Sequence, residues 1–143
     1  MHVSDVLGAK PSPDVVTISP DATVRDLLAL LAEHNVGALV VSGDGESVHG
    51  IVSERDVVRG LHEDDAVLDG SVSSIMTSSV TTVEPAMPLE ELRSLMTEKR
   101  IRHVPVVTDG RLTGIISIGD VVKAAIDQLQ FERDQLDNYV HQT

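Results

Sequence analysis

The chain has no cysteine and no tryptophan, one phenylalanine, one tyrosine and few cations. Without cysteine there is no disulfide, no thiol nucleophile and no thiolate metal site. With Phe131 and Tyr139 as the only aromatics, a single-strand nucleic-acid platform, which stacks bases on rings, is excluded. Any bound purine would be sandwiched by aliphatic side chains. Eleven Lys and Arg against 23 Asp and Glu give a net charge of −12. A phosphate-backbone binder shows the reverse, and an anionic membrane surface is disfavoured for the same reason. The longest apolar run, residues 27–32, is far too short to span a bilayer, and nothing at the N-terminus resembles a signal peptide. A reduced, cytoplasmic setting is expected. Neither a P-loop nor Gly-x-Gly-x-x-Gly is present, and no Gly-x-Ser-x-Gly elbow holds a nucleophile. The histidines (His2, His34, His49, His62, His103, His141) scatter without an i, i+4 pair, so neither a zinc site nor a catalytic constellation is expected.

What is present is a repeat. Residues 50–59 read GIVSERDVVR and residues 114–123 read GIISIGDVVK. Ile18, Pro20, Val24 and Leu27 match Val83, Pro85, Leu89 and Leu92, and Asp44-Gly45 matches Asp109-Gly110, at a constant spacing. A chain of 143 residues is about one domain long, and each half alone is marginal. Two copies of one supersecondary unit therefore pack on each other as a single pseudo-symmetric module, and the groove between them is the first place to look for a ligand. The first copy spans residues 1–62, an acidic linker residues 63–71, and the second copy residues 72–143.

Each copy reads as strand, helix, strand, turn, strand, helix, an α/β (α+β-like) unit. In the first, residues 15–19 form a β-branched strand. Val24, Leu27, Leu28 and Leu31 mark one helical face, and residues 38–41 and 48–52 flank the Gly43-Asp44-Gly45 turn. In the second, strand 80–83 precedes a helix bearing Leu89, Leu92, Leu95 and Met96. Asp109-Gly110 then joins two strands as a two-residue hairpin. Short segments, residues 3–7 and 72–76, precede the copies. The last helix runs from Asp120 to about Val140, with Val122, Ile126, Leu129, Leu136 and Val140 at helical spacing. That length exceeds what one half-module needs; the helix could cap the module's own core, but a subunit interface, and so a homodimer, is the better expectation.

Ser53-x-x-Asp56 and Ser117-x-x-Asp120 each follow a strand and open a helix. A helix start offers unpaired N–H groups to phosphate, and an aspartate offers acceptors for vicinal ribose hydroxyls. The same pattern is also a capping box, although capping boxes prefer the longer Glu or Gln. Local pattern leaves both readings open, and the serine could serve both. Lys99, Arg100, Arg102 and His103 form the one cationic cluster. Lys99 and Arg100 fit a solvated helix end complementing the dipole, whereas Arg102 and His103 lie past the helix and are the better phosphate candidates.

The paired copies, the V-x-T-x-x-P-like runs at residues 15–20 and 80–85, the R-H-V-P-V strand at residues 102–106 and the G-h-h-S-x-x-D-h-V ends together resemble the cystathionine-β-synthase (CBS) domain family. The likeness covers residues 3–127 and is that of a stand-alone tandem pair, with no attached enzyme. It implies two β-α-β-β-α repeats packed sheet to sheet, and clefts that commonly hold AMP, ADP, ATP, NAD or S-adenosylmethionine. No cofactor is required; the nucleotide is a regulatory ligand. By that likeness Asp56 and Asp120 hold ribose hydroxyls, with Ser53 and Ser117 near ribose or phosphate. Val16-Thr17 and Thr81-Thr82 meet the base through main-chain groups, and Val104 and Pro105 form part of the wall. Arg55, Arg102 and His103 are phosphate partners; in the first copy Glu54 would oppose a phosphate, whereas in the second Gly119 would expose the backbone to one. The first repeat lacks the cations of the second, so unequal clefts are expected. Two functions follow: a nucleotide sensor read by a regulated partner protein, or a ligand-free dimerising or docking module.

Overall fold

The computed structural model describes residues 1–10 and 15–141. Five helices, α1 (Val3–Gly8), α2 (Val24–His34), α3 (Glu54–Glu63), α4 (Leu89–Lys99) and α5 (Ile118–His141), accompany five strands. These are β1 (Thr17–Ile18), β2 (Ala38–Val41), β3 (Gly50–Ser53), β4 (His103–Thr108) and β5 (Arg111–Ser117). In the first sheet β1 runs parallel to β2, and β2 antiparallel to β3. In the second, β4 and β5 pair antiparallel, with Asp109 (φ 52°) and Gly110 (φ 79°) both left-handed at the turn, as a two-residue hairpin of the I′ kind requires.

The strand expected over residues 80–83 contracts to one parallel bridge, Val83 to Val106. The Val83 N–H donates to the Pro105 carbonyl (3.1 Å) and the Val107 N–H to the Val83 carbonyl (2.9 Å). The next rung needs an N–H at position 105, which proline lacks. Val40 holds the equivalent place in the first repeat, and there the ladder continues to Thr17. The acidic stretch is also more ordered than its composition suggests. α3 continues to Glu63, and residues Asp65–Asp69 form a 3₁₀ turn whose Val67 and Leu68 pack against the first core.

Each repeat has its own core, but the segments leading into them are exchanged. Val3 and Val6 of α1 are buried with Val83, Leu89, Leu92, Val104 and Ile116 of the second repeat. Val72, in the short 3₁₀ turn Val72–Ser74 before the second repeat, is buried with Ile18, Val24, Leu27, Leu39 and Val52 of the first. Matching backbone bonds fix both crossings. Val3 N–H donates to Met87 O (2.9 Å) and Ser4 N–H to Pro85 O (2.9 Å). At the other crossing Val72 N–H donates to Ala22 O (2.8 Å) and Ser73 N–H to Pro20 O (3.1 Å). The hairpin ends also touch, with Leu112 N–H on Glu46 O at 2.7 Å. Neither half can therefore complete its core without the other.

α5 rises about 36 Å over its 24 residues. Val121 and Ala124 are its buried residues, while Val122, Ile126, Leu129, Leu136 and Val140 stand exposed along one side. No helix among the described residues is long and apolar enough to cross a membrane.

Candidate functional site

β3 ends on Ser53 and α3 starts at Glu54, so Ser53 is the N-cap and Asp56 the third helical residue. The carboxylate folds back. Asp56 Oδ2 accepts from the Ser53 N–H (2.9 Å) and hydroxyl (3.1 Å), and Ser53 Oγ accepts from the Asp56 N–H (3.4 Å). The second copy does the same, with Asp120 Oδ2 accepting from Ser117 N–H at 2.9 Å and Ser117 Oγ from Asp120 N–H at 3.1 Å. Aspartate thus closes a capping box as well as glutamate would. Among the described residues nothing hydrogen-bonds Oδ1 of either aspartate, so capping uses one oxygen and leaves the other available.

The helix starts are less open than the pattern suggested. Glu54 N–H donates to Gly37 O (3.0 Å) and Ile118 N–H to Arg102 O (2.8 Å). With the third amide on the serine, a phosphate at α3 meets little free backbone beyond Arg55 N–H.

The space between the repeats is not filled. A cavity of about 300 Å³ lies beside Ser53, Glu54, Arg55 and Asp56, walled by Gly37, Ala38, Ile51 and Arg59 from the first repeat. Thr77, Arg100, Ile101, Arg102 and His103 close it from the second. The cations of the second repeat therefore serve the cleft of the first. Arg100 reaches this wall from the end of α4 in a left-handed backbone (φ 55°), which costs a non-glycine residue about 1–2 kcal/mol. The equivalent Asn35 (φ 52°) tolerates that conformation far better. Arg59 and Thr77 are not among the residues singled out from sequence, and Arg100 is expected there as a solvated helix end. Arg59 lies one turn beyond Arg55, a signal that could have found it; Thr77 reaches the cleft only through the exchanged lead-in.

At the matching place in the second repeat a cavity of about 290 Å³ meets Asp120 and Lys123, and Lys10 stands in its wall against the aspartate. Lys10 Nζ lies 2.9 Å from Asp120 Oδ2 and donates to Ile115 O at 2.7 Å. Burial pushes the Asp120 carboxyl up, but the Ser117 N–H and Lys10 together outweigh it and hold it below the usual range. Nothing local in the sequence links Lys10 to Asp120. Of the other expected residues, Val104 is wholly buried in the second core, so its side chain lines no cleft. Pro105 is buried in the strand beside it. Val16 packs against the first core, and Thr17 of β1 pairs with Val40 of β2. Thr82 borders a separate depression with Val107 and Asp109, and Thr81 is half-buried ahead of the Val83 bridge. Gly119 is exposed beside Ser117.

His103 stands between the two places, its ring about 3.6 Å from where a Gly37 Cβ would be. Burial lowers its pKa; Asp120 and Glu54 pull it up, and Arg102 and Lys10 push it down, with a net shift below 6.5. The folded protein thus takes up this proton less readily than the unfolded chain. The resulting stability is complete above 6.5 and is lost as pH falls through that value towards the lower folded one. His103→Gln therefore flattens the decline of stability as pH falls below 6.5 in urea titrations; an unchanged slope would assign that decline to other groups. Among the described residues, no three His, Asp or Glu gather as a metal site.

Two crossed repeats around such a cleft define a tandem-pair module. The CBS domain profile matches residues 3–63 and again 72–127. The chain is 35% identical to the mitochondrial CBS domain-containing protein CBSX3 of Arabidopsis thaliana, covering 96% of this chain and 71% of that one. The CBS-domain-containing protein ATU1752 of Agrobacterium tumefaciens superposes with a TM-score of 0.82 at 44% identity, covering 87% and 99% of the two chains. CBSX2, solved in complex with AMP, superposes at 0.74 and 29% identity, covering 88% and 97%. The chain belongs to the CBS domain family, as a tandem pair.

Proposed function

We propose that this chain is a regulatory module whose Asp56 cleft takes an adenine nucleotide of the AMP, ADP, ATP or NAD kind, and that occupancy is read by a partner protein through the arrangement of repeats or subunits. The carrying observation is the cleft of about 300 Å³, which joins the Ser53–Asp56 helix start to Arg102 and His103 across the two repeats. CBSX2, a relative of similar fold, binds AMP, which supports the ligand class. Asp56 Oδ1 is available to a ribose hydroxyl, the guanidinium groups to phosphate, and Ile51, Ala38 and Ile101 to the base. Because both repeats wall the cleft, a ligand touches both and favours whichever arrangement it fits better.

The exposed side of α5, together with Val58 of α3, which is 66% exposed, supports a second copy of the chain as the subunit partner. The capping roles of Asp56 and Asp120 favour the docking reading only if the cleft takes no ligand. A thermal-shift panel of AMP, ADP, ATP, NAD and S-adenosylmethionine decides this. A binder at 100 times its Kd adds about 2.7 kcal/mol of stability, and a panel without shifts leaves the docking module. Sedimentation of a monomer at tens of micromolar would remove the dimer.

A further inference from the structure

Every arginine outside the cleft has a carboxylate within reach. Arg25 lies 2.9 Å from Asp69, Arg93 3.9 Å from Glu90, Arg111 4.0 Å from Glu46 and Arg133 3.8 Å from Asp134. Arg55, Arg59, Arg100 and Arg102, which all line the cleft, have none among the described residues within 4.0 Å. This is so in a chain with 23 acidic residues, two of which, Glu54 and Asp56, line the same cavity. Gathering four unpaired guanidinium groups costs Coulomb energy that a surface pairing would have relieved. One of them is also held in a left-handed backbone, and its counterpart in the other repeat is asparagine. The first helical amides are mostly spent on Gly37 and Ser53, so negative charge arriving here is met by guanidinium forks, which suit phosphate oxygens.

We infer that the cleft selects nucleotides by the length of their phosphate chain, taking a nucleoside triphosphate in preference to the diphosphate and the monophosphate. This rests on the nucleotide reading above. A monophosphate carries about two charges and cannot engage four separated guanidinium groups at once; a triphosphate can reach several walls of the cavity. Arg100 and Arg102 come from the second repeat and Arg55 and Arg59 from the first, so the longer chain also bridges the repeats more completely.

Calorimetric titration of the full chain with ATP, ADP, AMP and inorganic tripolyphosphate tests this. ATP should bind at least about tenfold tighter than AMP, with ADP between them and tripolyphosphate competing for the same site. Raising ionic strength from about 0.05 to about 0.5 M should narrow the gap. Arg100→Asn keeps the left-handed turn that Asn35 shows to be comfortable and removes one cation; with Arg59→Gln as a second variant, each should lower ATP affinity about tenfold and AMP affinity less than about threefold. AMP binding as tightly as ATP, or both variants leaving ATP unaffected, overturns the inference while the nucleotide reading stands. Tripolyphosphate binding without any nucleotide keeps the polyanion cleft and removes the nucleotide; no binding by any of the four removes both.

Discussion

Gly50→Ala destabilises the module by about 2–3 kcal/mol, and Gly114→Ala by about 1 kcal/mol or less, although the two glycines open the same repeated motif. Both lie under an exchanged lead-in. A methyl group on Gly50 would sit 2.6 Å from Met76 Sδ and 2.9 Å from the Thr77 carbonyl oxygen. The thioether can swing aside, but the carbonyl cannot. It accepts from Ile51 N–H at 3.0 Å, and Thr77 N–H returns a bond to Ile51 O at 2.9 Å, so moving it breaks the bridge that ties the second lead-in to the first sheet. On Gly114 the three atoms nearest the same methyl all belong to the Leu7 side chain, its terminal carbons at 2.7 and 3.0 Å and Cγ at 3.4 Å, and Leu7 is only half-buried. Urea unfolding of the two variants measures the difference directly. Equal losses, or a larger loss at Gly114, would mean that the lead-ins yield as bodies and that the Thr77 bridge carries no special weight.

That asymmetry shows where the sequence was readable. Val24, Leu27 and Leu31 are buried at helical spacing, and the Asp109-Gly110 hairpin forms as its residues require. Periodicity reports that a residue is buried, not in whose core. Val3 and Val72 therefore looked like ordinary lead-ins to their own repeats, whereas each completes the other. Pro105 was legible as part of a strand, but its effect appears on a different strand, through a missing N–H opposite Thr81. The site was legible where a single motif carries it. Ser53, Arg55 and Asp56 adjoin in sequence, and Arg102 and His103 join them across the repeats. Arg100 was hidden because a cation at a helix end already has a local explanation. The Lys10–Asp120 pair joins residues 110 positions apart, with no pattern at either end to announce it.

The largest expected effect on binding falls on Asp56, the aspartate that has no lysine against it among the described residues. Asp56→Asn should weaken the tightest-binding nucleotide of the panel about 10- to 150-fold, the usual worth of about 1.5–3 kcal/mol for hydrogen bonds to a charged group. Asparagine can still accept the Ser53 N–H through its amide oxygen, so the helix start survives and the loss reads on the ligand rather than the fold. Asp120→Asn should change affinity by less than about threefold, because its carboxylate already answers Lys10 at 2.9 Å. Its cost falls on stability instead, since the folded protein keeps this carboxylate ionised below 3.8 and the variant forfeits that advantage at neutral pH. Calorimetry separates the two effects. If Asp120→Asn abolished binding and Asp56→Asn spared it, the occupied cleft would be the one that Lys10 guards, and the lysine would have to leave before the nucleotide could enter.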